Sequence, residues 1–101
     1  MPTELPPESI AAQLARLTDW ARVGDVLVRV VVFDDFISGI EAVNGVAAAA
    51  EAIDHHPDID IRWREVTFRC TTHSAGAITD LDVELAERID AVVAQVAGGR
   101  G

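Results

Sequence analysis

Two short stretches near the middle of the chain constrain its fold most. In residues 58–63, Ile59, Ile61 and Trp63 alternate with Asp58, Asp60 and Arg62; in residues 66–71, Val66, Phe68 and Cys70 alternate with Thr67, Arg69 and Thr71. A period of two is the mark of a strand with one buried face. Only Arg64-Glu65 separates the two runs, which predicts a tight turn and an antiparallel hairpin. Antiparallel pairing brings the outer ends of a hairpin together. His55-His56-Pro57 precedes the first strand and Thr71-Thr72-His73 ends the second, and these hold the only three histidines of the 101 residues. The hairpin therefore gathers every imidazole at one end.

The rest of the chain supplies layers for this hairpin. Pro6 and Pro7 open a helix with Ile10, Leu14 and Leu17 at helical spacing, because proline fits a first helical turn. Residues 20–23 read as a short strand and Gly24-Asp25 as a turn. The β-branched run Val26 to Phe33 reads as the clearest strand. Arg29 marks the face it shares with Leu27, Val31 and Phe33 as partly open to water or to a partner. Asp34 or Asp35 caps a second helix whose stripe is Phe36, Ile40, Val43, Ala47 and Ala50, and Pro57 stops it. Thr79-Asp80-Leu81-Asp82 resembles a capping box for a last helix with Leu81, Leu85, Ile89, Val92 and Val96 inward. The predicted fold is α+β, in the order α-β-β-α-β-β-α: a four-stranded antiparallel sheet with three helices on one face. It forms a single domain over residues 1–101, with 1–7 and 98–101 as loose ends.

Composition narrows the function. Asp and Glu number 17 against 8 Lys and Arg, a net charge of −9, and all the basic residues are Arg. A general nucleic-acid binder needs a basic face, so none is expected. The lone Cys70 has no internal disulfide partner, which fits a reducing compartment. No apolar run approaches the ~20 residues of a membrane span, and the acidic, Pro-rich start lacks the regions of a signal peptide. The expectation is a cytoplasmic protein without a membrane partner.

Three chemistries compete for the histidines. Zinc could take three of them, but neighbouring side chains in an extended loop diverge, so His55 and His56 are awkward joint ligands. Cys70 lies mid-strand among Val66 and Phe68, where a thiol is inert rather than nucleophilic. A metal-free acid–base pocket remains, with Asp54, Asp58 or Asp82 orienting the rings. The plainer reading makes His56-Pro57 a helix stop, Asp82 a cap and His73 a strand end.

The ordered set Glu51-x₃-His55-His56-Pro57, Trp63, Thr72-His73 and Asp82 resembles the pattern of the pterin-4a-carbinolamine dehydratases. Trp20, Phe33-Asp34-Asp35-Phe36 and Asp82-Val83-Glu84-Leu85-Ala86 extend the resemblance over roughly Leu14 to Val96. It implies the same sheet with three helices on one face. It also implies a lyase that converts 4a-hydroxytetrahydrobiopterin to quinonoid dihydropterin and water, in tetrahydrobiopterin recycling, with no metal or other cofactor. His55, His56, His73 and Asp82 form the implied catalytic set. His55 and His73 are the acid–base pair, His56 binds substrate, and Glu51 and Asp82 tune the rings. Glu51, Asp54, Pro57, Thr71, Thr72 and Ser74 fall at substrate-binding positions. Ser74 departs from the Glu of animal members, and Asp34 from a basic residue often found there. Implied partners are a pterin, further copies in a homodimer or homotetramer, and the pathway of an aromatic amino acid hydroxylase. Some relatives serve instead as coactivators or Rubisco assembly proteins, so a non-catalytic scaffold is the alternative; the three retained histidines favour the enzyme.

Overall fold

The computed structural model describes residues 2–100, the last three by backbone alone. Three helices, α1 (Pro7–Arg16), α2 (Phe36–Ile53) and α3 (Asp80–Arg100), and four strands, β1 (Ala21–Val23), β2 (Val26–Val32), β3 (Asp58–Arg62) and β4 (Glu65–Cys70), follow in the expected order. The sheet is antiparallel throughout, with strand order β1-β2-β4-β3. The core lies between the sheet and the helices. Leu27, Val66, Phe68 and Cys70 from the strands meet Ala42, Val46 and Ala50 of α2 and Leu85, Ala86, Ile89 and Val93 of α3. Ile10, Leu17 and Trp20 close the α1 end.

The hairpin forms one residue earlier than the alternation suggested. Arg62 pairs with Glu65, so Trp63 and Arg64 make the turn. Trp63 takes φ +55, a rare conformation for a bulky residue, and is 71% exposed rather than half-buried. Only this first central residue has positive φ, the sign pattern of a II′ turn. The Arg64 guanidinium lies 4.8 Å from the Trp63 ring centroid.

The β2 face expected to be partly open to water or to a partner is instead the helix-covered one. Leu27 and Phe33 are buried, so Arg29 lies on the helix-covered side. It is accommodated there by Asp90 of α3 at 2.5 Å and Asp19 at 3.5 Å, while Asp90 also accepts the Trp20 indole N–H at 2.7 Å. Val30 and Val32 stand on the uncovered face. A lone Arg among valines does not reveal that its partner lies 61 residues further on.

In α2 the buried stripe is Ser38, Gly39, Ala42, Val46 and Ala50, whereas Phe36 and Ala47 are exposed. A helix apolar on every side carries little phase information, and small residues decide the matter by allowing close approach. A Cβ on Gly45 would lie 2.7 Å from Cγ1 of Val92 in α3. Asp35 caps this helix, accepting the Ser38 N–H at 2.8 Å. By length and composition α2 would suffice to cross a membrane, closer to a span than the sequence reading allowed. Here it packs one side on the sheet and α3.

The N-terminal arm is not loose. Leu5 N–H donates to Ile78 O and Asp80 N–H to Thr3 O, both at 3.0 Å, which ties the arm to the segment before α3. At the other end helical backbone continues through Gly98 and Gly99, where a frayed tail was expected. Met1 and Gly101, the outermost of the expected loose residues, lie outside the described residues.

Candidate active site

The sequence ends α2 just before the first histidine pair. Asp54 takes the left-handed conformation (φ 50) that an Asp tolerates, and its N–H bonds back to Glu51 O at 3.2 Å. His55 N–H reaches Ala50 O at 3.1 Å, which tethers the first imidazole to the helix end. Pro57 then sends the chain into β3. Across the hairpin, β4 ends at Cys70 and the chain folds back at once. Thr72 N–H bonds Ala77 O at 3.1 Å and Gly76 N–H bonds Thr72 O at 2.9 Å. Gly76, at φ +61, permits this reversal.

Asp54, His55, His56, Thr71, Thr72, His73 and Ser74 line one cleft of about 240 Å³. The three histidines converge as the hairpin required. Their surroundings differ. The His55 side chain is 11% exposed, that of His56 53%, and His73 is exposed. His55 Nε2 lies 2.6 Å from Oδ1 of Asp82, which is fully buried at the start of α3. His56 Nε2 pairs with a Glu51 carboxylate oxygen on α2. His73 and Ser74 stand on the exposed loop.

Beneath the cleft lies a closed polar network. Thr72 Oγ1 donates to Asp82 Oδ2 at 2.8 Å and meets Thr79 Oγ1 at 2.7 Å. The Thr79 N–H also donates to Asp82 Oδ2, at 2.9 Å. The Asp82 carboxylate thus caps the helix and holds His55 at once, joining two readings that the sequence set against each other. Thr72 borders the cleft with its hydroxyl turned into the core. The Thr71 hydroxyl donates to Asp25 O at 2.6 Å, tying the cleft to the β1–β2 turn. Glu51 and Asp82 reach the site through His56 and His55, and neither they nor Pro57 lines the cleft. Thr79 was missed as a site residue; its place in a capping-box pattern was the available signal.

Cys70 lies buried next to the site. Burial, with the negative charge of Asp82 second, pushes its thiol well above the ordinary value. It is a core residue. Among the described residues no group of three or more His, Cys, Asp or Glu is arranged to hold a metal ion.

A family profile described as pterin 4 alpha carbinolamine dehydratase matches residues 3–92. This chain belongs to the pterin-4-alpha-carbinolamine dehydratase family. Two relatives of this family carry that enzyme's name provisionally. One, from Mycobacteroides abscessus, is 58% identical over 86 residues, which span 85% of this chain and 92% of the relative. The other, from Mycobacterium tuberculosis, is 50% identical over 88 residues, 87% and 94% of the two chains. Among solved structures, a transcriptional coactivator/pterin dehydratase from Brucella melitensis superposes with a TM-score of 0.86 at 27% identity, covering 90% of this chain and 99% of that one. A pterin dehydratase-like RuBisCO assembly factor of the alpha-carboxysome shares the fold, with a TM-score of 0.63 at 20% identity over 74% of this chain and 89% of its own.

Proposed function

We propose that this chain removes water from a 4a-hydroxytetrahydropterin, giving the quinonoid dihydropterin. The observation that carries this reading is the convergence of three histidines on one cleft, with His55 braced by a fully buried carboxylate. Family membership supports it. In the reaction the C4a–O bond breaks, the oxygen leaves as water with one added proton, and a ring N–H gives up its proton. One group must donate and another accept, and imidazoles do both near neutral pH.

Asp82 Oδ2 already accepts from Thr72 and Thr79, so the carboxylate serves as acceptor and His55 offers it the hydrogen on Nε2. With Nε2 committed to Asp82, Nδ1 is the ring nitrogen that exchanges a proton with substrate. His55 and His73 form the acid–base pair. His56, steadied by Glu51, binds the pterin ring with Asp54 and Ser74. The reaction needs no metal or other cofactor. We place it in tetrahydrobiopterin recycling in the cytoplasm, carried out by a homodimer or homotetramer. The intact histidine cleft favours this reading over a scaffold role.

The test is replacement of His55 and of His73 by Ala. Each variant should keep its circular dichroism and lose on the order of 10²–10⁴-fold in kcat. Near-wild-type turnover in both would sink the assignment.

A further inference from the structure

We propose that Thr79 is a positioning residue that steadies the His55 ring through Thr72 and Asp82. The inference rests on the dehydratase reading for its consequence in catalysis, but not for its structural content. Thr79 is fully buried and does not line the cleft.

The direction of each hydrogen bond follows from counting hydrogens. Thr72 has one hydroxyl hydrogen, and it goes to Asp82 Oδ2 at 2.8 Å. The contact of 2.7 Å between the two threonine hydroxyls must then use the hydrogen of Thr79. Thr79 Oγ1 in turn accepts the Leu81 N–H at 3.3 Å. Donation runs in one sense, from the Leu81 amide through Thr79 and Thr72 to Asp82. The other carboxylate oxygen is left to His55 Nε2 at 2.6 Å. Buried chains of this kind polarise along their length and hold each member in one state.

Without the Thr79 hydroxyl, Thr72 Oγ1 loses the bond it accepts, and its own donation to Asp82 Oδ2 loses the polarisation that the chain supplies. The carboxylate keeps the Thr79 N–H and a weaker bond from Thr72, so Oδ1 holds the His55 ring less firmly. The Thr79 N–H to Asp82 bond belongs to the backbone and survives any side-chain change. The hydroxyl also accepts the Leu81 N–H, so its loss weakens the cap as well, and the His55 spectrum is the readout that a cap alone would not move.

The experiment compares wild-type protein with Thr79→Val and Thr79→Ser, using long-range ¹H–¹⁵N correlation spectra of the histidines without substrate, and steady-state kinetics. Wild type and T79S should show His55 with its hydrogen on Nε2. T79V should show the His55 Nε2–H resonance shifted upfield, the sign of a weaker bond to Asp82. Its kcat should fall on the order of tenfold, the lower cost of removing an outer partner of a functional histidine, with KM within about twofold. T79A, which adds no methyl against Thr72, replaces T79V if that variant does not fold. A His55 spectrum and kcat in the hydroxyl-free variant equal to those of T79S would overturn the proposal and leave Thr79 a helix cap. A shifted His55 resonance in T79V without dehydration by any form would support the positioning role and refute the dehydratase reading.

Discussion

The Nε2 atom of His55 lies 2.6 Å from Oδ1 of Asp82, and Asp82 has no exposed surface. This contact joins the end of α2 to the start of α3 across the mouth of the hairpin. It makes one carboxylate answerable for both fold and site. Replacing Asp82 by Ala should therefore cost stability as well as activity. The change strands the Thr72 hydroxyl and the Thr79 amide, at about 1–3 kcal/mol for each unmet buried group. Urea unfolding should show a loss of about 2 kcal/mol or more. A variant as stable as wild type would mean that other acceptors replace the carboxylate.

Cys70 should resist alkylation in the folded protein. Burial and the Asp82 charge raise its thiol above the ordinary value of 9.0. The folded state thus holds the proton more tightly than the unfolded chain. This contribution to stability is fully present below that ordinary value and is lost as pH rises beyond it. Iodoacetamide should label Cys70 only in denaturant. Rapid labelling of native protein at pH 8 would contradict the buried placement.

Gly45 sets the distance between α2 and α3. Alanine normally favours a helix interior by about 1 kcal/mol over glycine. Here the new methyl would meet Val92 Cγ1 at 2.7 Å. Gly45→Ala should destabilise, by about 1–3 kcal/mol, and adding Val92→Ala should recover much of that loss. A stabilised G45A, measured by thermal melting, would show that the helices separate at little cost.

Arg29→Met should destabilise although it replaces a charge by an apolar chain. Asp90 would keep only the Trp20 indole, and its partly buried carboxylate would lose a partner at 2.5 Å. The expected cost is about 1–3 kcal/mol. The double variant with Asp90→Asn should lose less than the sum, since the two share one interaction. Additive losses would mean that the pair contributes no coupling.

The hairpin and the meeting of the histidines were legible in the sequence because a period of two and a short connection leave few alternatives. Element order followed from the same logic. Three features were not legible. Arg29 marked its face as partly open to water or to a partner because its intramolecular partner Asp90 is distant in sequence and belongs to a helix predicted only by its apolar stripe. The phase of α2 was hidden because Phe36, Val43 and Ala47 are as apolar as Ala42, Val46 and Ala50. Trp63 carried no sign of positive φ, since the residues that favour it are Gly, Asn and Asp. In the site, the histidines were visible by type and spacing. Thr79 was not, because a threonine in a capping-box pattern already has a local explanation.

The measurement that bears most directly on the central claim is the dehydration of freshly generated 4a-hydroxytetrahydropterin, followed by absorbance with and without the protein. A chelator is present throughout, and His73→Ala serves as the control. The account predicts acceleration by wild-type protein, unaffected by the chelator and abolished in the variant. No acceleration by folded wild-type protein, or acceleration that the chelator removes and zinc restores, would contradict it.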